Sequence, residues 1–476
     1  MNRSKKITLI SLLAILLTAI IITVTISRYE EKKENIRNSN EIILNISFDS
    51  VTALSWEYNG TKLSFHRDEC WQWDEDPAFP VDEEKIAELL APFEGLEADF
   101  KIEDVEDYSV YGLNKPTATI KIVANDKNFT IKLGDYSKMD SERYISVGDG
   151  SVYLSVNDPL DSYDVELEDL ILNDVIPDIS GATELVFDGS ENYTVTYEEE
   201  SAKTYCSEDV YFTEELPLDT AKISSYLNTV IGLSTDTYVS YNATAEELEA
   251  CGLTAPELTI TVKYPESSDS DEETEEEQAS YSFVLSVGRN QEELAEAAES
   301  DEEDAEDNVT AYFRIGESQI IYKLSNYYYK KLMAVSFNEL RHDEIVTADF
   351  DDVYKMDFVL ENEEYSMVSG TDDEDEETVI WDCGSFENVD ISKIQNKISA
   401  LSASEFTDEL PTQKEEISFT LYLNNENFPE LNVKLYRYNG ESCLAELNGN
   451  IIALVSRSSV VDLIEAVNAI ILGIES

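Results

Sequence analysis

The chain has 476 residues and a formal net charge of -68, with 101 acidic against 33 basic side chains. Such a charge disfavours nucleic acid and anionic lipid headgroups as partners, because both are repelled. A 42% hydrophobic content with 27 Tyr and 17 Phe argues against global disorder, and the length suits three domains better than one core.

Residues 1–6 form a short tail carrying Arg3, Lys5 and Lys6. Residues 7–26 contain no charged side chain. As a helix this stretch rises about 30 Å, enough to cross a bilayer core. The basic tail predicts a cytoplasmic N-terminus, so 7–26 reads as an uncleaved transmembrane signal anchor and 27–40 as a linker. The rest is then extracytoplasmic at a cell membrane, in a single-pass arrangement. A cleaved signal peptide fits less well, because Ser27-Arg28-Tyr29 supplies no small-x-small site.

The next stretch, 41–178, opens with a hairpin. Leu54, Trp56 and Tyr58 alternate, Asn59-Gly60 turns, and Leu63 and Phe65 return. A third strand carries Cys70, Trp71 and Trp73. Asp82 then caps a helix whose buried face is Ile86, Leu89, Leu90 and Phe93. Tyr111-Gly112-Leu113-Asn114-Lys115-Pro116 leads into a β-meander through Ile120, Ile131, Ile145 and Val152. A closing helix is predicted over Leu160 to Leu172.

Residues 183–343 repeat the order. Asp219 caps the helix, Ile223, Tyr226, Leu227 and Val230 face inward, and Gly252-Leu253-Thr254-Ala255-Pro256 precedes the meander. The last helix is predicted over Tyr327 to Leu340. Residues 345–473 are a divergent third version, with a hairpin, Asp390 before the helix, a meander and a final helix over Val460 to Ile471. This version lacks the Gly-Leu-x-x-Pro turn. Acidic runs without Lys or Arg occupy 266–278, 292–307 and 372–377. They read as solvated insertions at strand tips, 266–278 and 292–307 being expected to be disordered, since loop closure entropy grows slowly with length.

The repeated pattern apolar-Asp-x-x-Lys-Ile defines the unit: Asp82, Lys85, Ile86; Asp219, Lys222, Ile223; Asp390, Lys393, Ile394. Each Lys stands three residues from its Asp, within reach of an i,i+3 pair. Gly112, Pro116, Gly252 and Pro256 mark the meander turn. The expected fold class is therefore α+β: a transmembrane helix, then three tandem repeats, each a β-hairpin, a helix, an antiparallel β-meander and a closing helix.

A Trp-containing strand, Pro-x-Asp before a helix, Tyr-Gly-Leu-x-x-Pro and a meander resemble the bacterial family catalogued as domain of unknown function 4340. The resemblance is strongest over 54–170, recurs over 185–340 and fades beyond 345. It implies a membrane-anchored, extracytoplasmic protein of the cell envelope and, through members encoded beside gliding-type ABC exporter subunits, an accessory role in export. It supplies no catalytic residues.

The residues themselves offer no chemistry. His66 and His342 have no zinc-ligand spacing. Cys70, Cys206, Cys251, Cys383 and Cys443 show no disulfide framework and read as mostly buried thiols. No Gly-x-Ser-x-Gly, Walker or Rossmann series occurs. Trp56, Trp71, Trp73 and Tyr327-Tyr328-Tyr329 read as core before they read as a binding groove. No catalytic, cofactor-binding or metal residue is expected. The expected role is a non-enzymatic membrane-anchored scaffold or accessory protein, with the membrane through 7–26 and ABC transporter subunits as partners and no nucleic acid. The alternative is an envelope module binding a glycan, a peptide or a divalent cation. The oligomeric state is left open.

Overall fold

A computed structural model describes residues 16, 18–25, 41–103, 105–265, 280–300, 304–371 and 379–473. The chain forms two compact units, Met1–Asp174 and Val175–Ser476. Three large antiparallel sheets dominate, one of nine strands in the first unit and two of nine and eight strands in the second.

The first sheet runs Glu41–Leu44, Leu96–Ile102, Val152–Ser155, Glu142–Ser146, Lys127–Ser137, Ala118–Ala124, Val51–Tyr58, Thr61–Arg67 and Trp71–Trp73 across its width. The hairpin and the meander meet where Val51–Tyr58 pairs with Ala118–Ala124. The second sheet joins them where Glu184–Asp188 pairs with Leu258–Pro265, and the third where Val353–Leu360 pairs with Glu415–Leu423. In each sheet the strand after the amphipathic helix travels to the far side and pairs with the last meander strand. These strands are Leu96–Ile102, Tyr238–Ser240 and Ala403–Phe406. The sequence reading assigned no strand there. Leu96–Ile102 does alternate, with Leu96, Ala98, Phe100 and Ile102 against Glu97, Asp99 and Lys101, whereas Tyr238–Ser240 and Ala403–Phe406 are too short to show a pattern and only the pairing reveals them.

Tight turns set the register. Asn59 and Gly60 take φ of 49° and 88°, and Asn448 and Gly449 take 51° and 88°. Asn125-Asp126 and Glu361-Asn362 also adopt positive φ between paired strands. Two consecutive left-handed residues give the twist that antiparallel neighbours need.

The helices are short covers on these sheets. Glu83–Leu90 buries Ile86, Leu89 and Leu90, and Thr220–Ile231 buries Ile223, Tyr226, Leu227 and Val230. In the third sheet, Ile394 and Ile398 of Ser392–Ser399 join Val460, Leu463 and Val467 of Arg457–Ile471. They pack with Met356, Phe358, Phe419 and Leu435 in one core. Full burial of each such side chain contributes roughly 1.5–3 kcal/mol.

Several expectations are corrected. The α+β chain behind a transmembrane helix gives way to a mostly antiparallel β protein. Among the described residues no helix is long and apolar enough to cross a membrane. The stretch 7–26 lies largely outside the described residues. Of it, Leu16 and Thr18–Thr25 are described as helical, with Ile20, Ile21, Ile22 and Val24 exposed. The tail 1–6, the linker 27–40 and the acidic runs 266–278 and 372–377 also lie outside them.

No α-helix covers 160–172. Pro159–Ser162 and Leu167–Leu170 are single 3-10 turns instead. Between them the buried Tyr163 donates its hydroxyl to the Leu89 carbonyl at 2.8 Å, which draws the chain into the core. The acidic stretch 292–307 is not a disordered insertion throughout. Gln291–Glu299 is a helix capped by Asn290, because Gln, Glu, Leu and Ala all favour helix and acids suit its first turn. The helix expected over Tyr327–Leu340 is two, Asn326–Met333 and Phe337–Leu340, with Ser336 starting the second.

Candidate functional site

The motif residues serve the backbone. Asp82 Oδ1 accepts from the amides of Glu84 and Lys85 at 2.9 and 3.4 Å. Asp219 Oδ1 accepts from Ala221 and Lys222 at 2.8 and 3.1 Å. Asp390 Oδ1 accepts from Ser392 alone at 2.9 Å, and Ile391 holds the cap position. The expected Asp-Lys pairs do not form. Lys85 reaches Glu88 at 3.2 Å, and Lys222 reaches Asp343 at 2.9 Å.

The turn glycines face a second glycine that sequence alone did not single out. A Cβ on Gly112 would stand 2.7 Å from the Asp135 amide, beside Gly134, whose own Cβ would strike Tyr111. A Cβ on Gly252 would stand 2.7 Å from the Arg289 carbonyl, and one on Gly288 2.6 Å from the Gly252 carbonyl. The turn therefore lies directly on the second meander strand, at Gly134 in one sheet and Gly288 in the other. These residues build the fold and touch no cleft described here.

The polar constellation that tertiary structure assembles lies in the second unit. Its centre is His342, just beyond the helix Phe337–Leu340. The Asp219 amide donates to the Leu340 carbonyl at 3.0 Å, which brings the helix cap beside this segment. On its other side, the amides of Ile345 and Ala403 donate to Leu401 and Asp343, and Glu344 bridges Ser402. The segment 340–345 is thus tied to both the second and the third sheet regions.

His342 Nε2 lies 2.7 Å from Asp209 Oδ1, and Asp209 is 3% exposed. Thr204 donates to the other Asp209 oxygen at 2.7 Å. His342 Nδ1 stands 4.0 Å from Asp219 Oδ2. Burial alone depresses the His342 pKa, but the bond to Asp209 and the charges of Asp209, Asp219 and Glu344 outweigh it. The net effect raises it above the ordinary value of 6.5.

Beside this group opens a cleft of about 520 Å³, lined in part by Tyr205, Leu216, Phe337, Phe428 and Ile452 together with His342 and Glu344. Arg341 also lines it. Its guanidinium stacks on Phe337 at 5.1 Å and on Phe406 at 4.3 Å, with no ion-pair partner among the described residues. Burial lowers its pKa. Cys206 is near in sequence to Tyr205, but burial and then the Asp209 and Glu208 charges push its thiol up to about 11. A thiol so placed is a poor nucleophile.

The remaining sequence candidates have other surroundings. His66 pairs with Asp74 at 2.6 Å on the hairpin of the first sheet. Trp56 and Trp71 are buried. Tyr329 donates to Glu257 at 2.5 Å, while Tyr327 is exposed. All five cysteines are free thiols. Nothing in the spacing of Asp209, Asp219, His342 and Glu344 announces their meeting; two of them lie 133 residues apart. The only sequence signal was the motif Asp219 itself.

No curated protein and no solved structure matches the chain. Over residues 71–207 it matches the model of the family described as Domain of unknown function (DUF4340), and the chain carries a domain of that family.

Proposed function

We propose that the protein is a non-enzymatic scaffold or accessory protein of the bacterial cell envelope. It works outside the cytoplasm, is attached to a membrane through the uncharged stretch 7–26, and serves an ABC exporter of the gliding type. The observation that carries this reading is the fixing of segment 340–345. Its backbone is bonded to both sheet regions, as a rigid platform needs, and His342 joins Thr204 in holding the buried Asp209. Membrane attachment is supported by the exposed Ile20, Ile21, Ile22 and Val24 and by Thr23 and Thr25, whose hydroxyls donate back to the carbonyls of Ala19 and Ile21. Hydroxyls satisfied within their own helix suit an apolar surrounding.

Purification of the tagged chain from native membranes in mild detergent is expected to retrieve ABC transporter subunits in constant ratio. Repeated recovery of the chain alone, or its presence only in the soluble fraction, overturns the reading.

A second reading, a module that binds an envelope glycan, peptide or cation, is favoured in its peptide form by one observation: the Arg341 guanidinium borders the 520 Å³ cleft without an ion-pair partner among the described residues. A stabilising thermal shift with a carboxylate-bearing peptide, lost in Arg341→Ala, supports it, because a native-state ligand raises apparent stability. No shift across glycans and peptides rejects it.

A further inference from the structure

We propose that Asp219, His342 and Glu344 bind one divalent transition-metal ion in the wall of this cleft. One ligand atom from each lies within 4.8 Å of the other two. The donors come from separate segments, the cap of Thr220–Ile231 and the strand-like run 342–345, and Asp219 and His342 are each oriented by bonds of their own.

Asp219 Oδ1 is engaged by the amides of Ala221 and Lys222, which leaves Oδ2 directed at His342. Oδ2 and Nδ1 are 4.0 Å apart, too far for a hydrogen bond. His342 Nε2 is fixed by the buried Asp209. When Nε2–H donates to Asp209, Nδ1 turns a lone pair toward a carboxylate oxygen. In the neutral ring two acceptors then face each other at that spacing, and a metal cation satisfies both, as a proton does in the imidazolium. A buried carboxylate holding the far nitrogen of an imidazole is also the arrangement that orients a histidine ligand and raises its basicity.

Access and rigidity fit as well. His342 and Glu344 line the cleft, so an ion held there keeps open positions for water or a ligand group on that side. The Asp219 amide is tied to Leu340 and the Glu344 backbone to Ser402, so the donors stand on fixed backbone.

The imidazole favours Zn²⁺ over Ca²⁺, Mg²⁺ and Mn²⁺, which suit oxygen donors. The positive end of the helix Thr220–Ile231 opposes a cation. Against it stand Asp219, Glu344 and the charge of Asp209 behind the imidazole, while the nearby Lys222 is paired with Asp343 at 2.9 Å.

The test is calorimetric titration of chelator-stripped full-length protein with ZnCl₂, in excess Mg²⁺ and Ca²⁺ to fill diffuse acidic sites. Wild type is expected to take up one equivalent. Glu344→Gln, at an exposed position, and Asp219→Asn, which retains a capping oxygen, are each expected to weaken that uptake at least tenfold. Their unfolding temperatures without metal report that they fold. Cobalt substitution adds a visible absorption band in wild type that both variants lose. Weak uptake of many equivalents in wild type, or one tight equivalent unchanged in both variants, overturns the site.

Discussion

His342 Nε2 stands 2.7 Å from Asp209 Oδ1, across 133 residues of sequence. Asp209 is 3% exposed and lies in the loop before the strand Tyr211–Thr213, while His342 follows the helix Phe337–Leu340. The pair therefore closes the second sheet region on itself. The Asp219 amide adds a bond to Leu340 at 3.0 Å, and within the first unit the Asp82 amide makes the corresponding bond to Leu170 at 2.9 Å. In both places the helix cap also ties down the end of its sheet.

Removing the imidazole leaves the buried Asp209 with only Thr204 and the Cys206 thiol as side-chain partners among the described residues. His342→Ala is expected to cost about 3 kcal/mol, the lower range for breaking a buried pair on one side. Urea unfolding followed by far-UV circular dichroism measures it. A loss below about 1 kcal/mol, the level of an exposed pair, rejects the clasp.

The same pair predicts a pH dependence in metal-free protein. The native His342 pKa is raised above 6.5, so the folded state holds the proton more tightly than the unfolded state. The resulting stability is fully present below the unfolded value and is lost as pH rises through the native one. In EDTA, the advantage of wild type over His342→Gln should shrink as pH rises above 6.5. Urea midpoints across that range decide it, and an advantage that grows with pH contradicts the sign.

The glycine contacts predict larger effects than their position in turns suggests. Gly112 and Gly252 have φ of 72° and 71°, and a Cβ at either meets backbone within 2.7 Å. Gly112→Ala and Gly252→Ala are each expected to cost about 2–4 kcal/mol, since strained φ and overpacking act together. Gly60→Ala has strained φ but open space around it and should cost less. Thermal unfolding of the three variants orders them, and equal losses would remove the packing argument.

The caps should differ by copy. Asp82→Ala and Asp219→Ala each free two amides, and Asp390→Ala frees one. About 1 kcal/mol is expected for Asp82→Ala, with less for Asp390→Ala. Asp219→Ala also perturbs the His342 surroundings and should exceed both. Asp390 has a lowered pKa, from its bonds with Ser392, so its share is present above the unfolded value and lost as pH falls through the native one.

Thiol chemistry checks burial directly. Cys70 is exposed, whereas Cys443 is fully buried and burial pushes its thiol up to about 11. Burial raises Cys251 and Cys383 as well. Native protein at about pH 8 should give one fast equivalent with a thiol reagent and the remainder only on unfolding. Fast reaction of all five would show that the cores are open.

Much of the sheet architecture was legible locally. Alternation in Val51–Tyr58 and Glu415–Leu423, Asn-Gly turns and Asp-capped apolar stripes are signals carried by a few adjacent residues. Elements stabilised by distant partners were misread. Leu160–Leu172 has helical spacing, yet Tyr163 is held by Leu89, 74 residues earlier. Strand Tyr238–Ser240 exists through pairing with Ile321–Leu324 and has little alternation of its own. The candidate site was illegible for the same reason: Asp209 and His342 carry no pattern apart from each other.

The sequence by itself determined the acidic surface, the short-range turns and the repeated helix caps, because charge, φ preference and capping act over a few residues. Only the tertiary structure decided that helices would be thin covers on three broad sheets, and that Asp209, Asp219, His342 and Glu344 would share one corner. Strand pairing and buried ion pairs depend on which distant backbone arrives alongside, and no local pattern records that arrival.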